Sequence, residues 1–317
     1  MNLASVLNGY MTTSRLHLYD YRWGVSVGTP DGPQKRTHVS QHHFVGVERN
    51  MQKTFVLVVL LTAGIVSGQN ADAATLWVSP NAFGPAPGVS CNIAGYAVIQ
   101  DAINAANPGD TVNVCPGTYV ENIAINKPNL TVASTGGYSV TIIRAAVVNS
   151  VVTVTGINAT VAGFVLMPAG STAKYDIGVN VAIGGNASTE IFNNYVRGGR
   201  IGVNLGCGSS GSTVYHNIVR GATETGINID TCEIAPLYPG STFNSVHHNA
   251  VCGGTYPYSI AGGQGSDFNS VHHNTARWIS MYGDGNIVND NTAQLFIVVP
   301  GSPANTTFNN TVAPVCP

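Results

Sequence analysis

One stretch of the chain, from Ile201 to Ile229, reads IGVNLGCGSSGSTVYHNIVRGATETGINI and contains two short motifs that recur on either side of it. The first motif is a Gly-led apolar segment, found here at Gly202–Leu205 and Gly226–Ile229 and once before at Gly178–Val181, with a spacing of 24 residues. A unit this short has too few apolar residues to bury a core alone, so its copies must stack on one another. The repeat therefore predicts a solenoid.

The second motif, apolar-x-x-Asn-x-apolar, indicates how the coils stack. Its Asn recurs at Asn194, Asn217, Asn249, Asn274, Asn291 and Asn310. Asn tolerates the left-handed turn between two strands, and its amide can hydrogen-bond the Asn of the next coil, about 4.8 Å along the axis. We therefore expect a buried structural ladder of Asn, with Val and Ile pointing inward on either side. The predicted fold class is all-β, a right-handed parallel β-helix.

The repeats follow a segment of different character. Residues 1–50 show no clear period, and we interpret them as a mis-called or disordered N-terminal extension. From Met51, Lys53 precedes twelve apolar residues and an Ala-Asp-Ala site, which is typical of a secretory signal peptide. A membrane anchor is the alternative, but a span needs about 20 apolar residues. The predicted regions are the signal peptide at 51–73, an N-terminal cap at 74–110, the β-helix at 111–313 and a C-terminal tail at 314–317.

The predicted cap contains a short amphipathic helix. Within Gly95–Asn107, apolar residues such as Ile99 and Ile103 recur at helical spacing, and Pro108 and Gly109 end the pattern. Such a helix covers the open end of a solenoid, whose edge strand would otherwise pair with other chains.

Three segments of the cap and first coil resemble a known family. They are Ile99–Ile103, Pro108–Val112 and Pro116–Glu121, which read IQDAI, PGDTV and PGTYVE. In this order they resemble the capping helix and first coil of the pectin-lyase-like superfamily, over roughly residues 76–313. The resemblance implies a right-handed parallel β-helix, but no activity, because one fold hosts many functions. The Asn-Thr-Asp, Asp-Asp and Gly-His-Gly segments typical of polygalacturonases are absent, and so is the Asp-Phe-Ile-Phe-Gly of pectin methylesterases.

Charge and cysteine content indicate which partners and which cellular compartment suit the chain. The formal net charge is −2 and only 9% of residues are charged, so the chain offers no basic face for nucleic acid. All six cysteines follow the predicted signal peptide, and an even number in an exported chain favours disulfides. The predicted pairs are Cys207 with Cys232 on neighbouring coils, Cys91 with Cys115 between cap and first coil, and Cys252 with Cys316 as the remaining pair.

The catalytic candidates are two aspartates and an arginine. Asp267 and Asp284 each lie four residues before the apolar anchor of consecutive coils. Two carboxylates at that spacing repel unless Ca²⁺ lies between them or one is protonated, so they could bind calcium or act as acid and base. Arg277 lies nearby in the sequence. The alternative is that both aspartates cap the backbone of turns. No cofactor follows with certainty; calcium is the candidate.

Ligand-binding candidates form three further groups. Arg197, Arg220 and Arg277 share one repeat position, from which they could grip carboxylates, although a solvated edge is the plainer interpretation. Exposed aromatic residues of the long loops could stack on sugar rings or simply pack on the coil. These are Tyr238, Tyr256, Tyr258 and Trp278. Five histidines fill two adjacent columns, which could form a structural ladder or bind Zn²⁺ or Cu²⁺. They are His216, His248 and His273 in one column and His247 and His272 in the other.

The sequence alone favours a secreted protein, extracellular or at the cell surface, that binds a polysaccharide or cell-surface glycan without catalysis. Two alternatives stay open: a divergent polysaccharide lyase or glycoside hydrolase acting on an acidic polysaccharide, and a structural or adhesive module. We expect no nucleic-acid partner and no membrane span in the mature protein.

Overall fold

A computed structural model describes residues 72–170, 173–182, 188–230, 240–253, 259–298 and 303–316. The chain divides into two units, Met1–Gln69 and Asn70–Pro317, and all described residues belong to the second. The predicted extension at 1–50 and nearly all of the predicted signal peptide lie outside the described residues. Within the described ranges, no helix is long and apolar enough to cross a membrane.

Almost every regular element is a short β-strand. The elements are, in chain order, β1 Thr75–Val78, β2 Gly88–Ser90, β3 Ile93–Ala94, α1 Ile99–Ala105, β4 Thr111–Val114, β5 Gly117–Val120, β6 Ile123–Ile125, β7 Thr131–Ser134, β8 Thr141–Arg144, β9 Val152–Val154, β10 Thr160–Ala162, β11 Val165–Met167, β12 Ile177–Val181, β13 Glu190–Phe192, β14 Tyr195–Arg197, β15 Ile201–Leu205, β16 Thr213–Tyr215, β17 Ile218–Arg220, β18 Thr225–Ile229, β19 Ser245–His247, β20 Ala250–Cys252, β21 Ile260–Gly262, β22 Ser270–His272, β23 Thr275–Met281, β24 Ile287–Asn289, β25 Thr292–Val298, β26 Thr306–Phe308 and β27 Thr311–Val312.

The strands stack into three parallel faces, one strand per coil. Face A has the order β1-β4-β7-β10-β13-β16-β19-β22-β24-β26. Face B runs from β5 through β8, β11, β14, β17 and β20, and face C from β6 through β9, β12, β15, β18 and β21. The long strands β23 and β25 cross from face B to face C and join the two into one sheet. All these pairs are parallel, and the chain is a right-handed parallel β-helix, as the sequence predicts.

The Gly-led motif lies on face C, in register. Val179 pairs with Val203, and Val203 with Ile227. The glycines turn toward face B, where a side chain would not fit: a Cβ on Gly178 would lie 2.5 Å from Cγ1 of Val196. The glycines of the next two coils are as tightly enclosed, Gly202 by Val219 and Gly226 by Val251. The motif therefore begins with Gly because two faces meet there.

The predicted Asn ladder lies at the turn from face A to face B. Asn217 donates its Nδ2 to Oδ1 of Asn249 at 3.0 Å, and that same oxygen accepts the backbone N–H of Asn217. The contact repeats from Asn194 to Asn310, and the side chains are buried from Asn194 to Asn291. Phe164 takes the equivalent position one coil earlier.

The sequence analysis assigns the left-handed conformation of this turn to the wrong residue. The left-handed residue is not the ladder Asn but the residue before it, such as Asn193 with φ 53° or His216 with φ 54°. The ladder side chain must point inward to reach the next coil, and the exposed residue before it makes the reversal. His tolerates this conformation better than most residues, because its enrichment at positive φ resembles that of Asn and Asp.

The cap helix is shorter than predicted. It begins at Ile99 rather than Gly95, because the backbone N–H groups of Gly95 and Tyr96 donate to the carbonyl of Trp77 in β1. Ile99, Ala102 and Ile103 are buried against the first coils, as the apolar spacing predicts.

Two of the predicted disulfides are confirmed. Cys91 pairs with Cys115 and Cys252 with Cys316, each with Cα atoms 5.5 Å apart. Cys207 is also disulfide-bonded, while Cys232 lies outside the described residues.

Candidate functional site

The two candidate aspartates lie at the turn from face C to face A, in consecutive coils. Oδ1 of Asp267 accepts the backbone N–H of Asp284 at 2.7 Å. The Asp267 carboxylate therefore caps a turn, the role that the sequence offers as the alternative to catalysis. Among the described residues, no group of three or more His, Cys, Asp or Glu side chains is arranged to hold a metal ion.

The structure does not bring Arg277 to these aspartates. Arg277 belongs to the part of β23 that lies on face B, where its guanidinium packs 4.3 Å from the ring of Trp278. Its Nε donates to Oε1 of Gln294 at 3.3 Å.

The other arginine candidates also lie on face B. Arg197 and Arg220 are register partners on neighbouring coils, and both are exposed. The next residue in their column is Cys252, which holds the C-terminal tail through Cys316. The disulfide thus interrupts the arginine column before Arg277. The loop aromatics Tyr238, Tyr256 and Tyr258 lie outside the described residues.

Face A carries a continuous stack of rings on its outer side. The rings of Phe192 and Tyr215 stack at 4.9 Å, Tyr215 and His247 at 5.1 Å, and His247 and His272 at 4.9 Å, all within 14° of parallel. Parallel in-register strands place equivalent side chains directly over one another, which is why residues of different coils form one stack. We call this set the ring stack.

A second column of imidazoles flanks the ring stack at the left-handed turn positions. His216, His248 and His273 follow one another at 5.1 and 4.9 Å. Nδ1 of His247 lies 2.9 Å from Nδ1 of His248, and the next coil repeats the contact at 3.0 Å. Each contact needs one protonated and one unprotonated nitrogen.

Three of these imidazoles, those of His247, His248 and His272, have lowered pKa values. Burial lowers the pKa of His247 to about 4, and the neighbouring imidazoles add to the shift, first that of His272. Burial also lowers the pKa of His248 and of His272. At neutral pH the stack therefore presents uncharged rings with polar edges.

The ring stack ends at Phe192, and a groove opens there. The register partners of Phe192 on the preceding coils are Ala162 and, beyond it, Ala133, so neither partner covers the free face of its ring. The groove holds about 530 Å³, and Tyr138 and Asn193 contribute to its wall. Tyr138 is fixed edge-on to Tyr195, with ring centroids 6.3 Å apart.

The lining of the groove is neutral. Its hydroxyl groups come from Ser134, Ser139 and Tyr138, and among the described residues no Lys, Arg, Asp or Glu lines it. Glu190, on the strand of Phe192, is the nearest acidic residue along the chain, and its charge contributes to the raised pKa of Tyr215, behind the larger effect of burial. An uncharged ligand suits this surface better than an anion.

Sequence reasoning missed this groove, although the signal was present. Phe192 occupies the motif position that Tyr215 and His247 hold in later coils, and Ala162 holds it in the coil before. A change from large to small side chains along one column marks the end of a stack. An interpretation of the motif through its Asn alone overlooks that change.

Comparisons with known proteins give distant structural matches and no family. The chain matches no known family model and no curated protein. Among solved structures it is similar to an alginate lyase from Paenibacillus sp. strain FPU-7, at 14% identity over 77% of this chain and 96% of the other, with a TM-score of 0.46. It is also similar to the pectate lyase Pel9A, at 14% identity over 76% and 77%, with a TM-score of 0.48. A pectin methylesterase from Aspergillus niger matches at 14% identity over 75% and 85%, with a TM-score of 0.38.

The strand order and the ladders define the class: the chain is a right-handed parallel β-helix protein. Its candidate site is the groove at the end of the ring stack on face A.

Proposed function

We propose that the protein is an extracellular β-helix protein that binds a polysaccharide or cell-surface glycan on face A, without catalysing a reaction on it. The observation that carries the proposal is the free ring face of Phe192 in a groove of about 530 Å³. A sugar ring has an apolar face that packs on an aromatic ring and hydroxyls that need polar partners at its rim.

The groove supplies both kinds of contact. The Phe192 ring offers the apolar surface, and Ser134, Ser139 and Asn193 offer polar groups around it. Ser134 is already held by a 2.6 Å hydrogen bond between its Oγ and the hydroxyl of Thr141. Strands β7, β10 and β13 carry much of the lining, so the site needs little ordering when a ligand binds.

An extracellular location fits the disulfides. Structural disulfides persist in oxidising compartments, and Cys91–Cys115 and Cys252–Cys316 are formed here. The predicted signal peptide at 51–73 supports the same location.

The predicted catalytic residues do not form one site. Oδ1 of Asp267 accepts the N–H of Asp284, and Arg277 lies on another face.

A glycan array followed by titration calorimetry on the purified chain tests the proposal. Phe192→Ala should weaken binding at least tenfold, because it removes the stacking surface. Its fold should survive, since Ala already holds this register position in two coils. The matched control is Phe308→Ala, which removes an exposed Phe of face A far from the groove and should leave affinity unchanged.

A parallel activity screen on neutral and uronic-acid polymers, with and without Ca²⁺, separates the alternatives. Turnover would contradict the non-catalytic proposal and favour a lyase or hydrolase. Neither binding nor turnover would favour a structural or adhesive module.

A further inference from the structure

A second exposed aromatic pair lies on the opposite edge of face A. Phe243 and Phe268 stack with ring centroids 5.3 Å apart and planes 9° from parallel. They occupy the turn from face C to face A in consecutive coils, and 63% and 45% of their surface is exposed. Two large apolar side chains at such a position are not explained by the core.

The backbone at both residues is strained. Each Phe has φ 56°, in the left-handed region that bulky residues rarely adopt. The equivalent residues of the neighbouring coils are Gly211 and Gly285, with φ 71° and 64°. Backbone strain of this kind concentrates at functional sites, where a side chain is needed in a set place.

The pair has one covered end and one open end. On one side Phe268 lies over Gly285, whose Cβ would be 2.6 Å from the ring. On the other side the equivalent residue is Gly211, and a Cβ there would have only Ser188 within 4 Å. Among the described residues, therefore, none near Gly211 covers the ring face of Phe243 that is turned away from Phe268.

The open faces of Phe243 and Phe192 point toward the same end of the helix. Phe192 is stacked on its C-terminal side by Tyr215, as Phe243 is by Phe268. The two residues are two coils apart, about 10 Å along the axis, and at most about 13 Å apart along the strand direction. From these strand spacings, Phe192 and Phe243 lie roughly 15 Å apart, and their open ring faces are turned the same way.

The surface between them carries hydroxyl groups, with the Glu190 carboxylate beside Thr213 as its one charge among the described residues of β13 and β16. Strand β16 lies on the coil between, with the Thr213 and Tyr215 side chains on its outer side. Their hydroxyls could bond to sugar hydroxyls that pass over them. The nearest carboxylate on this side, Glu190, would repel a uronate.

We infer that Phe243 is a second stacking platform, and that face A binds an uncharged oligosaccharide running diagonally from the Phe192 groove across Thr213 to Phe243. The inference rests on the proposed function and adds the chemical class and the minimum length of the ligand. A sugar short enough to fill only the groove would not contact Phe243.

The test compares neutral oligosaccharides of two to six units (gluco-, xylo-, manno- and chito-series) and oligogalacturonates on the purified chain. Phe243→Gly is the informative variant, because Gly holds the equivalent turn position in two neighbouring coils and relieves the strain. Phe308→Ala is the control. Wild-type affinity should rise about tenfold once the neutral ligand is long enough to contact both Phe192 and Phe243. Phe243→Gly should remove that rise without changing the affinity of the shortest ligand that binds.

The outcomes are distinct. If Phe192→Ala weakens all ligands while Phe243→Gly binds the longest as tightly as wild type, the second platform is wrong and the proposed function stands. If oligogalacturonates bind more tightly than neutral chains of equal length, the uncharged class is wrong. If no oligosaccharide binds to the wild type, both the proposed function and this inference are overturned.

Discussion

Nδ1 of His247 lies 2.9 Å from Nδ1 of His248, so two adjacent imidazoles share a single proton across their contact. The next coil repeats the arrangement with His272 and His273 at 3.0 Å. Protonating the second nitrogen of either pair would set two N–H donors against each other and place a cation beside a stack of uncharged rings.

Acid should therefore destabilise the fold. The folded pKa of His247 is about 4, below its ordinary 6.5, so between these values the unfolded chain binds a proton that the folded chain does not. The free energy of unfolding must fall as pH decreases through this window. Thermal melts from pH 7.5 to pH 4 should show a declining Tm. His247→Tyr introduces the ring that Tyr215 already places in the same column, and it should have a smaller decline. An equal decline in both proteins would contradict the assignment.

Loss of one ladder Asn should cost about 3 kcal/mol, because Asn249→Ala leaves unsatisfied donors and a small cavity. The lost oxygen accepts both the N–H and the Nδ2 of buried Asn217. Urea denaturation measures the change. Asn193→Gly is the control, because that exposed residue has φ 53° and Gly adopts it freely. A similar loss in both variants would show that the ladder has no special role.

The cap should depend on one carboxylate. Glu121 accepts the N–H groups of Ile99 and Gln100 at 2.9 and 3.0 Å, at the start of α1. Glu121→Ala should destabilise the protein by about 1–2 kcal/mol, as loss of a helix N-cap does. Hydrogen exchange should localise the effect to α1. Asp101→Ala removes a different carboxylate from the first turn and should change little; an equal effect would assign the stabilisation to helix charge alone.

The tail should be held by its disulfide. Cys316→Ser opens a loop with a sequence separation of 64 residues, for which chain entropy predicts a loss of about 4 kcal/mol. Melts with and without reductant measure it: reductant should lower the Tm of the variant less than that of wild type. Equal sensitivity to reductant would assign the whole effect to the other disulfides, Cys91–Cys115 and the one that Cys207 forms.

Local rules explain why some of these features are readable from the sequence. The ladder Asn residues recur within one short motif and the Gly-led strands recur every 24 residues, and stacking in register follows from the recurrence of these motifs. Apolar spacing predicts the cap helix but misplaces its start. The backbone N–H of Tyr96 donates to the carbonyl of Trp77 in β1, a strand that the helical spacing does not include. The catalytic grouping of Asp267 with Arg277 rests on closeness in sequence, which does not place residues on one face.

The sequence by itself determined the repeat, and with it the class of fold, the Asn ladder and the inward Val and Ile columns, because each depends on spacing within one coil. Only the tertiary structure decided which surface is free to bind. The open ring faces of Phe192 and Phe243 exist because small residues, Ala162 and Gly211, stand over them on the preceding coils. Each small residue lies about 30 positions before its Phe in the sequence. Because the loops between coils vary in length, no fixed period places the two residues over one another.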